Sequence, residues 1–171
     1  MAWDFADETV RVLTEGLPTP PAEPIPGHTF PAALHRGKRY GAVLFLRLWR
    51  NGQWDSDTAI TQRDAEGWVE PSGCGGGGWI DPYERPHGGW DDDLVVVLGH
   101  SVESTEEEDG SWSEVVAVEG MVAPGVAQLD CIGEATRLTY GVESPLGAFV
   151  IVVEGRQVPR LVPFDQDGRR L

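Results

Sequence analysis

The chain has 171 residues, with 28 acidic side chains against 13 basic ones, a formal net charge of −15 and a pI near 4.5. A length of this order holds one domain, or one domain and an arm. Its hydrophobic share of 40% and its seven Trp, five Phe and three Tyr are enough to build a core. The acidic balance disfavours non-specific attraction to nucleic acid or to an anionic membrane face, because phosphate binding needs a basic footprint, and neither partner is expected.

The opening residues Met1 to Glu8 carry neither a basic n-region nor an apolar h-region, and no run reaches the roughly 18 apolar residues of a membrane span. Cys74 and Cys131 are too few for a disulfide framework or a four-ligand zinc site. A cytoplasmic protein is the expectation. Lys38 is the only lysine among the basic residues, a bias that points to a G+C-rich coding genome and leaves the fold open.

Trp3, Ala6, Val10, Leu13 and Leu17 recur at helical spacing, which predicts a helix from about Asp4 to Glu15. Asp4, Asp7 and Glu8 suit its N-terminus, and Gly16 followed by Pro18 supplies its stop. The stripe either docks on its own domain or serves self-association through Trp3, Val10 and Leu13. Six prolines between Pro18 and Gly37 then predict an extended Pro-rich linker. Residues 1–38 are thus expected to be a helix and arm, and residues 39–171 a β-domain.

From Tyr40 the period becomes strand-like. The clearest strands are 40–49, 94–102, 113–119, 126–132, 148–154 and 158–164, with weaker candidates at 54–63, 68–70 and 136–140. Turn signals at this spacing predict an all-β antiparallel sandwich without βαβ units. Asn51-Gly52 is a strong hairpin signal. A two-residue loop there would face Trp49 with Trp54 on the side of Val43, Phe45 and Ile60, leaving Leu46 and Leu48 opposite Asp57 and Asp55. Asp167-Gly168 offers a similar turn near the end.

The runs Val118 to Val126, Gly147-Ala148-Phe149 and Val158 to Phe164, followed by Asp165-Gln166-Asp167-Gly168, resemble an immunoglobulin-like β-sandwich segment of uncharacterised actinobacterial proteins. The likeness covers about residues 115–171. It implies an immunoglobulin-like sandwich and no catalytic residue, and the cysteine pair around a core Trp is not evident.

Gly73, Gly75 and Gly78 match the spacing of a dinucleotide fingerprint, but Pro71-Ser72 precede them where a strand should stand, and Trp79 to Pro82 follow where a helix should open. The expectation is a flexible surface loop, or a place where backbone passes close to another element. Trp68, Trp79 and Trp90 lie 11 residues apart in this Gly-rich stretch. They read as anchors on the sandwich or as a ligand platform for a sugar or small molecule. His87, Asp81, Asp91 to Asp93 and His100 follow no established metal pattern, and Gly99 to Glu103 lacks the closing glycine of a nucleophile elbow. No cofactor or enzymatic activity is expected.

The charge is concentrated. Asp91 to Glu119 holds ten acidic residues and no Lys or Arg, with Glu106, Glu107, Glu108 and Asp109 at the tip of an expected hairpin and Asp91, Asp92 and Asp93 before its first strand. Either this is a solvated loop, or it is a face for a basic protein partner. The functional expectation is a non-enzymatic interaction module of the immunity-inhibitor or assembly-subunit kind. The alternative is a carbohydrate-binding or hydrolytic domain using the loop from Trp68 to Trp90.

Overall fold

The computed structural model describes residues 5–71, 74–84 and 94–171. Elements follow in the order α1 (Phe5–Glu15), β1 (Thr29–Arg36), β2 (Tyr40–Leu48), β3 (Trp54–Asp64), β4 (Gly67–Trp68), β5 (Cys74–Trp79), β6 (Val95–Glu106), β7 (Trp112–Val122), β8 (Gln128–Ile132), β9 (Arg137–Gly141), β10 (Ala148–Glu154) and β11 (Arg160–Phe164). All paired strands are antiparallel. A mostly β chain with one short N-terminal helix is what periodicity predicts. Among the described residues, no helix is long and apolar enough to cross a membrane.

The strands group into three sheets: β1-β2-β3 with β4 and β5 both on the far edge of β3, then β10-β7-β6, then β11-β8-β9. Side chains alternate between the faces of a strand, and the core clusters show where each face goes. Tyr40, Ala42, Leu44, Leu46 and Leu48 of β2 pack with Val115, Ala117 and Met121 of β7 and with Val150 of β10. The opposite face of that second sheet, with Val116, Val118, Phe149 and Ile151, packs on Leu129, Cys131 and Tyr140 of the third. β7 and β10 of the second sheet are therefore covered on both faces, while much of β6 stays exposed. That is why β10 reads as a continuous apolar run from Ala148 to Val153, and β7 as one from Val115 to Val122 interrupted by Glu119 and Gly120, rather than as alternating strands.

The outer face of the first sheet receives α1. Val12 and Leu13 are buried against Leu34, Val43, Phe45 and Ala59, and Phe5 meets Phe45 edge-on at 5.5 Å between ring centroids. The docked face runs through Phe5, Thr9, Val12 and Leu13, rotated from the expected stripe, with Val10 only half-buried. Leu13 is thus engaged by the chain's own sheet, and Trp3 lies outside the described residues.

Two expectations change. Residues 29–36 are a strand rather than linker: Phe30, Ala32, Ala33 and Leu34 are buried, and Pro31 sits at a bulge in the β1–β2 ladder, where a missing N–H is tolerated. The Gly-rich segment is β5 rather than a surface loop, pairing from Trp54↔Trp79 to Ala59↔Cys74. Its backbone runs so close to β3 that a Cβ at Gly76 would collide with the Ser56 carbonyl oxygen, which is the close-approach reading of these glycines.

The β2–β3 hairpin also takes a different register. Trp49 N–H bonds to the Gln53 carbonyl at 2.8 Å and Gly52 N–H to the Trp49 carbonyl at 3.0 Å, which makes a three-residue loop with Gly52 at φ +85°. Leu48 therefore pairs with Trp54 and Leu46 with Ser56. A one-residue change of register exchanges the faces, so Ile60 joins Leu44 in the core while Trp49 is 42% exposed.

Candidate functional site

The acidic stretch is built on the β6–β7 hairpin, which pairs out to Glu106↔Trp112. Its loop repeats the geometry of the β2–β3 turn: Glu107 N–H bonds to the Ser111 carbonyl at 2.7 Å and Gly110 N–H to the Glu107 carbonyl at 2.9 Å. Asp109 accepts the Ser111 N–H at 2.9 Å and its hydroxyl at 2.5 Å. These bonds hold the Asp109 carboxyl below its ordinary range.

The structure separates residues that the sequence groups together. Glu106 and Glu108 are exposed beside Asp109. Glu107 pairs with Arg39 and accepts the Ser113 hydroxyl, and Glu114 pairs with Arg156. Asp91, Asp92 and Asp93 lie outside the described residues, as do His87 and Trp90.

Glu119 belongs to the interior. It is 9% exposed and points between the first and second sheets, where Thr58 and Ser56 (3.5 Å) donate hydroxyls to its carboxyl. The backbone of Gly99 crosses so near that an added Cβ would stand 2.8 Å from Oε1. Burial pushes the carboxyl up to about 7, the Ser56 hydrogen bond pulls it down, and the charge of Asp57 adds to the rise.

Two concave regions flank this layer. A cleft of about 970 Å3 lies over the glycine strand, with Trp49, Asp55, Asp57, Asp81 and Glu84 around Gly76 to Gly78. Trp49 Nε1 donates to Asp55 at 2.5 Å, the Arg47 guanidinium lies 4.8 Å from the centroid of the Trp49 ring, and burial raises the Asp57 carboxyl against the pull of Arg47. A second groove, of about 580 Å3, opens between β3 and the β6–β7 hairpin. Its walls carry Glu70, Glu103 and Glu106, with Val69 and Trp112 at the rim and Tyr40 and Ile60 lining it. Glu103 is solvent-exposed on one side, yet partial desolvation raises its carboxyl.

No family model, curated protein or solved structure matches this chain. The assignment therefore rests on the site itself.

Of the tryptophans singled out by spacing, Trp79 is buried in the first core cluster. Trp68 packs toward α1, with the Arg63 guanidinium 4.2 Å from its ring centroid. Neither lies bare as a platform. Among the described residues no three His, Cys, Asp or Glu are gathered to hold a metal ion, and His100 is exposed on β6.

Trp112, Tyr40 and Glu119 are the residues sequence reasoning passed over. Signals existed for two of them. Trp112 directly follows the acidic tip, and Glu119 is the lone carboxylate in an apolar run from Val115 to Val122. Nothing in the sequence tells that Tyr40 borders an opening.

Proposed function

We propose that this chain is a non-enzymatic protein-interaction module that presents the β6–β7 hairpin to a basic protein partner, as an immunity-type inhibitor or an assembly subunit would. The observation that carries the reading is Trp112. It is 67% exposed and stands directly across the ladder from Glu106, next to the carboxylates of the tip. A large uncovered aromatic ringed by like charge is the composition of an interface centre with a polar rim. The charge adds orientation and a faster encounter with a basic surface.

Two finer readings belong to the same proposal. An immunoglobulin-like sandwich in residues 115–171 is supported by the division of β7 and β10 from β8, β9 and β11 into two facing sheets. A cytoplasmic setting is supported by Cys131, a buried cysteine that is in no disulfide among the described residues.

Affinity capture from the native host at low and at high salt tests the function, with the tip variant Glu106→Gln/Glu108→Gln/Asp109→Asn alongside. The expected result is a basic protein that is retained at low salt, released at high salt, and weakly held by the variant. Equal capture by wild type and variant at both salt levels overturns it.

A further inference from the structure

The groove between β3 and the β6–β7 hairpin holds three carboxylates, from Glu70, Glu103 and Glu106, and among the described residues no Lys, Arg or His lines it. Tyr40, which is 6% exposed, also lines the groove. Its hydroxyl is buried and has no hydrogen-bond partner among the described residues. A buried phenol without a partner gives up a hydrogen bond that a ligand donor would restore. At the rim Val69 is 44% exposed and Trp112 67% exposed, so apolar surface and a π-face stand beside the carboxylates.

We infer that this groove is the seat of an arginine side chain carried by the basic partner. The inference rests on the interaction reading above and names the chemistry that the site selects. A guanidinium is planar, stacks on an indole, and sends a fork of N–H donors to carboxylates, whereas an ammonium offers a compact, strongly hydrated charge. The aliphatic stem covers Val69, and the guanidinium lies between Trp112 and the carboxylates of Glu103 and Glu106. One N–H reaches the Tyr40 oxygen, which accepts. The neighbouring Arg39 stands over the Tyr40 ring, 5.2 Å from its centroid, but its guanidinium is paired with Glu107 and Glu154 and does not line the groove.

The test is a titration of the full-length protein with the capped peptide acetyl-Ala-Arg-Ala-Arg-Ala-amide, following the Trp112 indole N–H by NMR and the heat of binding by calorimetry. Matched peptides carry Lys or Gln in place of Arg. The expected order of affinity is Arg, then Lys, then Gln, with a shift of the Trp112 signal and weakening by salt. Trp112→Ala should weaken the Arg peptide about tenfold or more. Glu103→Gln/Glu106→Gln should do the same and remove most of the salt dependence. Tyr40→Phe removes only an oxygen with no internal partner, so thermal stability should hold while the preference for Arg over Lys falls.

Equal affinity for the Arg, Lys and Gln peptides overturns the inference, and so does unchanged affinity in both Trp112→Ala and Tyr40→Phe. The double variant Glu108→Gln/Asp109→Asn lies outside the groove. If it abolishes binding while the groove variants retain it, the groove assignment falls and the acidic-hairpin reading stands. If a basic partner is captured independently of all these residues, both fall.

Discussion

Glu119 makes native stability depend on pH in a direction opposite to that of most carboxylates. Its carboxyl is pushed up to about 7 in the fold against an ordinary 4.5, because burial between the sheets, with the charge of Asp57 added, penalises the anion more than the Ser56 hydroxyl repays it. Between those two values the unfolded chain releases the proton while the native chain keeps it. The Glu119 contribution to stability is therefore full below about 4.5 and is lost as pH rises through 7, by up to about 3 kcal/mol. Glu119→Gln keeps the shape and the hydroxyl contacts without the charge. Thermal unfolding should show the variant clearly more stable than wild type at about pH 8 and nearly equal at about pH 4; parallel curves across that range would contradict the account. His35 acts in the opposite sense. Burial lowers its imidazole to about 4, and Nδ1 accepts the Val152 N–H at 2.9 Å, so stability drops as pH falls from 6.5 toward 4 in wild type and variant alike.

At the scale of elements, the helix illustrates how far periodicity reaches. Its existence and its end at Gly16 follow from spacing and stop signals. The buried face does not, because an eleven-residue helix with Val10, Val12 and Leu13 can be rotated to serve either of two stripes. Contact with Val43, Phe45 and Ala59 decides between them. Leu13→Ala should cost about 2–5 kcal/mol in chemical denaturation, and a loss below about 1 kcal/mol would show that α1 adds little to the fold. The hairpins carry a related lesson. Arg50-Asn51-Gly52, Glu108-Asp109-Gly110 and Gln166-Asp167-Gly168 close with the same pair of backbone bonds and with glycine φ values of +85°, +80° and +76°. The turn residues were legible in each. The loop length was not, because Asn-Gly serves a two-residue and a three-residue loop alike, and only the core demand that Leu48 and Trp54 face inward together selects the longer one. For β5 the propensity argument misleads: four glycines oppose a strand in isolation, yet β3 brings its ladder to a backbone that only glycine lets approach.

Across the whole molecule, the sheets are tied where their edges meet. Among the described residues β1 pairs only with β2, and its outer side lies near β10 and Tyr140 of β9. There Tyr140 Oη donates to the Leu34 carbonyl at 3.0 Å, and His35 takes the Val152 N–H. Both bonds replace ladder bonds that edge strands lack. Tyr140→Phe should cost about 1 kcal/mol and raise amide exchange along β1 more than along β8, since the carbonyl it strands belongs to β1. Uniform exchange over all three sheets would argue against such a tie. The same scale governs the candidate site, whose groove exists only because β3 and the far end of the β6–β7 hairpin border one opening.

What the sequence determined by itself was local: strand-forming composition after residue 40, the helix with its stop, the turn residues, and the acidic run from Asp91 to Glu119. These depend on neighbours along the chain, and periods of 2 and 3.6 express them directly. Tertiary structure decided which faces are covered. It stacked three sheets so that β7 and β10 of the second are buried on both sides, took Glu119 out of the acidic face and into the core, gave the glycine run a strand partner, and brought Tyr40, Trp112 and Glu103 to one groove. Burial and pKa depend on groups far apart in sequence, so no local pattern encodes them. The charge of −15 was a bulk quantity in the sequence; among the described residues the fold separates its acidic groups into the buried Glu119, carboxylates paired along the hairpin, and an exposed tip beside an acidic groove.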